Sequence, residues 1–141
     1  MIAYVISGGR MDRTTHPKWK YRFADDLVVW MSHKVEKPIE FKSESGYVIA
    51  RWEGHILTIF AGYVMDGASC WPDHEKGMRG FGVHDFGYQV AQILTRQQWD
   101  QVMLSIHAHD GYRVRHIVYA GVRAGGWSSF GKRGYVEIHE V

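Results

Sequence analysis

The apolar residues of this chain change their pattern near Gly67. Before it they come in short runs or alternate with polar residues, as half-buried strands do. Residues 2–6, 26–31, 47–52 and 55–60 each read as a strand. Glu53 and Gly54 separate the last two and have the composition of a two-residue hairpin turn. The pattern predicts a meander of short antiparallel strands over residues 2–66.

Beyond residue 66 the apolar spacing becomes helical. A helix is expected over 76–93, around His84, with four glycines weakening the signal at its start. Thr95 followed by Gln98 is a capping box that opens a helix over 96–109. Its apolar stripe is Trp99, Val102, Met103 and Ile106, and Asp110-Gly111 ends it. A third helix, over 112–124, carries Val114, Ile117, Val118, Gly121 and Val122 and stops at Gly125-Gly126. Residues 135–139 alternate cleanly and read as a strand returning to the first sheet. The expected fold is α+β, an N-terminal antiparallel meander with three helices packed on it. The whole of 1–141 reads as one domain: 1–66 mainly β, 67–126 mainly helical, 127–141 loop and strand.

Composition narrows the classes. With 45% hydrophobic and 23% charged residues the chain is globular in type. Six Trp and eight Tyr imply a thick aromatic core or an aromatic contact surface. A net charge of +2 gives no strong nucleic-acid footprint. Cys70 is the single cysteine, which excludes a disulfide framework within the chain. No basic stretch followed by an apolar run marks a secretory signal, and no apolar run approaches the ~20 residues of a membrane span.

Chemistry-bearing side chains concentrate between Asp66 and Tyr88. On a helix His84 and Tyr88 share a face, and Asp85 sits about 100° around from His84. A hard cation such as calcium takes several oxygen ligands. Asp85, Asp66 and the carbonyls around Gly67 can supply them, leaving His84 as general base for a water molecule. Asp100, on the next helix, can hold the other imidazole nitrogen and fix its tautomer. The plainer alternative makes His84 a core histidine, Asp85 a surface carboxylate and Asp66 a turn former. Ser69 and Cys70 invite a nucleophile reading, but Asp66 to Ser69 also reads as a turn with capping side chains, and no nucleophile elbow is present. His107, His109, Asp110 and His116 are a weak zinc candidate without a metal-ligand spacing. Arg113, Arg115, Arg123, Lys132 and Arg133, with Tyr112, Tyr119, Trp127 and Phe130 interleaved, form a basic aromatic third. That third suits phosphate groups, a protein contact or a solvated helix face.

At these residues the chain resembles two families. The first is a group of short phage and prophage proteins of unknown function. The likeness runs over about 45–127, through Met65 to Ser69, Pro72, His84-Asp85, Tyr88, Asp100 and Ala120 to Arg123. The second likeness is local. His84 to Tyr88 resembles the active-site helix of secreted microbial phospholipases A2, and Asp66, Gly67, Ser69, Pro72 and Asp73 resemble their calcium loop. That likeness implies His84 as general base, Asp85 and Asp66 as calcium ligands and Asp100 as the residue orienting His84. Tyr88 and Ser69 would support the site. The departures are the single cysteine, the absent signal and the strand-rich first half. Two functions follow as expectations. One is a phage-encoded, calcium-dependent hydrolase acting on an ester, with a lipid as candidate substrate. The other is a non-catalytic phage structural or tail-associated protein that works by self-association or by contacts with other phage proteins.

Overall fold

The computed structural model describes residues 1–15, 21–65, 75–90, 93–126, 130 and 136–140. Seven strands and three helices lie among them: β1 (Ala3–Ser7), β2 (Met11–Arg13), β3 (Tyr21–Phe23), β4 (Leu27–Ser43), β5 (Val48–Ile59), β6 (Val64–Met65), α1 (Glu75–Gln89), α2 (Arg96–Asp110), α3 (Arg115–Gly125) and β7 (Val136–Glu140). The fold is α+β, an N-terminal antiparallel sheet followed by three packed helices.

Two sheets share the strands. The larger has the order β1-β4-β5, with β7 also paired to β4. The return strand therefore exists and is antiparallel, matching Phe41 to Ile138 and Ser43 to Val136. The smaller sheet is β2-β3-β6. β4 is long enough to serve two partners along one side, β1 against Val28–Met31 and β7 against Ile39–Ser43.

The expected turn at Glu53-Gly54 is overturned. Residues 48–59 form one strand, and Gly54 sits inside it at φ +58° opposite Val35. The register to β4 shifts between Trp30 and Val35 and again between Val35 and Ile39. Gly54 thus serves a bulge, where a left-handed residue bends a strand without ending it. The His55 ring fastens that bend through Nδ1, 2.8 Å from the Met31 carbonyl. The bend folds the hairpin over, so that Phe60 N–H donates to the Ile49 carbonyl at 3.0 Å. The real hairpin turn is at 44–46. There Ser43 N–H donates to Tyr47 O at 2.8 Å, and Gly46 takes φ +89°.

The inner face of the folded hairpin buries Leu27, Val29, Met31, Phe41, Ala50, Trp52, Leu57 and Ile59. Helix residues meet it through rings: Phe86 stands edge-on to Phe41 at 5.1 Å between ring centroids, and Trp99 lies tilted against Trp52 at 6.2 Å. A second apolar cluster of Met65, Met78, Phe81, Met103, Tyr112 and Val118 forms beside it.

α1 is buried over most of its surface, which explains its glycines. A Cβ on Gly80 would overlap the His107 ring, one on Gly82 would meet Phe23, and one on Gly87 would overlap the Trp99 indole. These positions let rings lie against the helix backbone, and close packing offsets the weak helix propensity of glycine. α1 ends at Gln89, short of the expected residue 93. α2 follows the sequence pattern closely. Gln98 N–H donates to Thr95 Oγ1 at 3.1 Å, Thr95 N–H donates to Gln98 Oε1 at 2.8 Å, and the helix ends on left-handed Gly111. Trp99, Val102, Met103 and Ile106 are all buried. α3 starts at Arg115, three residues later than expected, and buries Val118 alone.

Candidate functional site

The capping box fixes where α2 starts, and that sets Asp100 in its second turn, facing α1. From α1, His84 and Tyr88 project one helical turn apart toward the same carboxylate. His84 Nε2 lies 2.6 Å from Asp100 Oδ1, and the Tyr88 hydroxyl donates to the same oxygen at 2.6 Å. The His84 and Tyr88 rings are 4.1 Å apart between centroids. Phe130 packs edge-on against the other side of Tyr88 at 5.1 Å. The second Asp100 oxygen accepts from Arg123 Nη1 at 2.8 Å, and Arg96 Nη1 lies 3.7 Å from it.

Asp100 has no exposed surface. Burial is the largest influence on its acidity and pushes its pKa up. The hydrogen bonds from His84 and Tyr88, the charge of His84 and the hydrogen bond from Arg123 outweigh burial, and the net shift is below the ordinary carboxylate value. Asp100 is therefore an ionised acceptor at neutral pH. An ionised carboxylate can only accept, so the proton on its bond to His84 sits on Nε2, and in the neutral imidazole Nδ1 then presents a lone pair. Nδ1 has no hydrogen-bond partner among the described residues. Burial, then the bond and charge of Asp100, raise the Tyr88 pKa, so Tyr88 remains a donor.

Asp85 points elsewhere. It is 5% exposed, and the Tyr63 hydroxyl donates to its Oδ2 at 3.0 Å. The same hydroxyl lies 2.9 Å from Gln89 Oε1. Asp85 is thus a buried carboxylate on the Tyr63 side of α1, about 100° around the helix from His84. The reading of Asp85 as a surface carboxylate is corrected: the residue is buried and accepts from Tyr63. Asp66, Gly67 and Ser69, with the rest of the expected calcium loop, lie outside the described residues. Calcium takes six to eight oxygen ligands. Among the described residues no group of three or more His, Cys, Asp or Glu is placed to hold a metal ion, so Asp85 alone does not make that shell.

The zinc candidate does not assemble among the described residues. His107 is fully buried, its Nε2–H donates to the Gly77 carbonyl at 2.9 Å, and Phe81 and Tyr112 stand edge-on to its ring. His116 is exposed on α3, and Asp110 is bound twice by Arg79, at 2.7 and 3.0 Å. His107 is the core histidine of this fold. Burial above all lowers its pKa to about 4. A cavity of about 710 Å³ lies apart from His84, lined by Gly9, Arg10, Tyr21, Glu75, Arg79 and Asp110 among others. None of its lining residues belongs to the expected site.

Four participants were not singled out from sequence as site residues: Arg123, Arg96, Tyr63 and Gln89. Arg96 stands four residues before Asp100, a helical ion-pair spacing that was open to reading. Arg123 was visible as one of several basic residues and at the end of the Ala120 to Arg123 likeness, and nothing local in the sequence pairs it with Asp100. Tyr63 meets Asp85 only through the fold. No protein-family model, curated protein or solved structure matches this chain.

Proposed function

We propose that the chain is an ester hydrolase in which His84 is the general base. The observation that carries this reading is the orientation of His84: Nε2 is fastened to a buried, ionised Asp100, and Nδ1 has no hydrogen-bond partner among the described residues. That is the arrangement a base needs, with one nitrogen held and the other able to take a proton. The likeness of His84 to Tyr88 to the phospholipase A2 active-site helix supports an ester, and a lipid ester first, as substrate.

The chemistry follows from the residues. A water bonded to Nδ1 gives up its proton as its oxygen attacks the ester carbonyl. Asp100 stabilises the imidazolium that forms, and Tyr88 holds the carboxylate in place. The imidazolium then returns its proton to the departing alkoxide. Asp85, with Asp66 and the Gly67 carbonyl, would hold calcium, which would supply a positive charge for the developing oxyanion. The test is calorimetric titration of calcium into the parent and Asp85→Ala, followed by turnover on phospholipid and on soluble esters. Binding lost in Asp85→Ala, with turnover lost in His84→Ala, is the expected result. Parent protein that hydrolyses no ester at millimolar calcium would overturn it.

A second reading has one observation in its favour. At the start of α3, Val114, which precedes the helix, and Ile117 within it are 39% and 60% exposed. That fits a non-catalytic, virion-associated protein that docks through α3 on another protein or a second copy. A monodisperse monomer with ester turnover would exclude it.

A further inference from the structure

We propose that Arg123 is a positioning residue for the His84–Asp100 pair, through which the docking of α3 is transmitted to the site. α3 is lightly packed, with Val118 its one buried residue. Its C-terminal end is held instead by a reciprocal clasp with α2. Arg96 of α2 donates to the Val122 and Arg123 carbonyls at 3.0 and 3.3 Å, and Arg123 of α3 donates back to Asp100 at 2.8 Å. Gly126 completes the seat, because a Cβ there would press on the Tyr88 hydroxyl and on Arg96.

The clasp decides which way the carboxylate faces. Asp100 has two cations near Oδ2, and only Arg123 is within hydrogen-bond distance; Arg96 stands at 3.7 Å and donates from Nη1 and Nη2 to the α3 carbonyls. Arg123 pulls on Oδ2 from the side of α3, leaving Oδ1 to His84 and Tyr88. Without Arg123 the buried carboxylate keeps one nearby arginine, and the attraction between them turns it toward Arg96. That rotation draws Oδ1 away from His84 Nε2 and frees the imidazole to turn. A guanidinium is permanently charged and directional, so the control acts at every pH where the protein is folded.

The proposal rests on reading His84 and Asp100 as a working pair, but its readout is the bond between them, so it stands apart from any assay of turnover. The experiment follows the His84 Nε2–H proton by NMR in protein labelled with ¹⁵N-histidine, the signal being assigned by its loss in His84→Ala. Arg123→Gln is expected to speed exchange of that proton with water by about tenfold or more. Circular dichroism should show the same helix content, and Arg123→Lys, which keeps a charge at the position, should retain slow exchange. Should Arg123→Gln fail to fold, Arg123→Met, which keeps the apolar stem without the charge, takes its place: exchange at least about tenfold faster than in the parent supports the proposal, and parental exchange overturns it. A folded Arg123→Gln with parental exchange also overturns it and leaves Arg123 as a structural ion pair.

Discussion

At the scale of single residues, two histidines separate by their partners. His84 shares its proton with a carboxylate, while His107 donates to a backbone carbonyl and leaves its Nδ1 buried without a partner. Burial therefore holds His107 neutral in the folded protein down to pH about 4, whereas in the unfolded chain it gains a proton near pH 6.5. Between those values the unfolded state binds more protons, so stability falls as pH drops from 6.5 to 4. The loss from this residue is about 3 kcal/mol. Denaturant titrations of the parent and His107→Leu at pH 7 and pH 4 should show that part of the pH dependence vanish in the variant. Tyr88 behaves in the opposite direction. Its pKa is raised on folding, so its contribution is complete below pH 10 and is lost as pH rises further. Tyr88→Phe removes a donor to buried Asp100 and should cost about 1.5–3 kcal/mol at neutral pH. It should also flatten the alkaline fall in stability.

At the scale of elements, the capping box and the glycine contacts make separate predictions. Thr95→Ala removes a cap that fixes the start of α2 and should cost about 1 kcal/mol, with a matching drop in melting temperature. Gly87→Ala raises helix propensity yet drives a methyl group into the Trp99 ring, so destabilisation of about 1–3 kcal/mol is expected. A gain in melting temperature would show that α1 does not lie this close to α2. Legibility differed among the elements for physical reasons. α2 was readable because its cap, apolar stripe and terminal glycine are all local signals. β4 was readable only over its first third. From His33 to Ser43 the strand is rich in Lys, Glu and Ser and contains Pro38, and it is buried only at Val35, Ile39 and Phe41. Glu53-Gly54 misled because a left-handed glycine serves a turn and a bulge equally well, and only the pairing with β4 decides between them.

At the scale of the whole molecule, the site lies where three helices meet beside the folded hairpin. His84 and Tyr88 come from α1, Asp100 from α2, and the clasping Arg123 from α3. The His84, Tyr88 and Asp100 set was legible because helix periodicity places the first two on one face and the capping box fixes the helix carrying the third. The cation behind them was not, since Arg123 joins them only once α3 is docked. The enclosure of Asp85 likewise depends on Tyr63, which arrives from the sheet after β5. The central claim is that His84 takes a proton from water during ester hydrolysis. The most direct test is the initial rate of fatty-acid release from phospholipid vesicles at millimolar calcium, parent against His84→Ala, with circular dichroism confirming equal folding. A general base contributes about 10²–10⁴-fold, so the account predicts a rate at least a hundredfold lower in the variant. A parent with no activity, or a variant as fast as the parent, would contradict it.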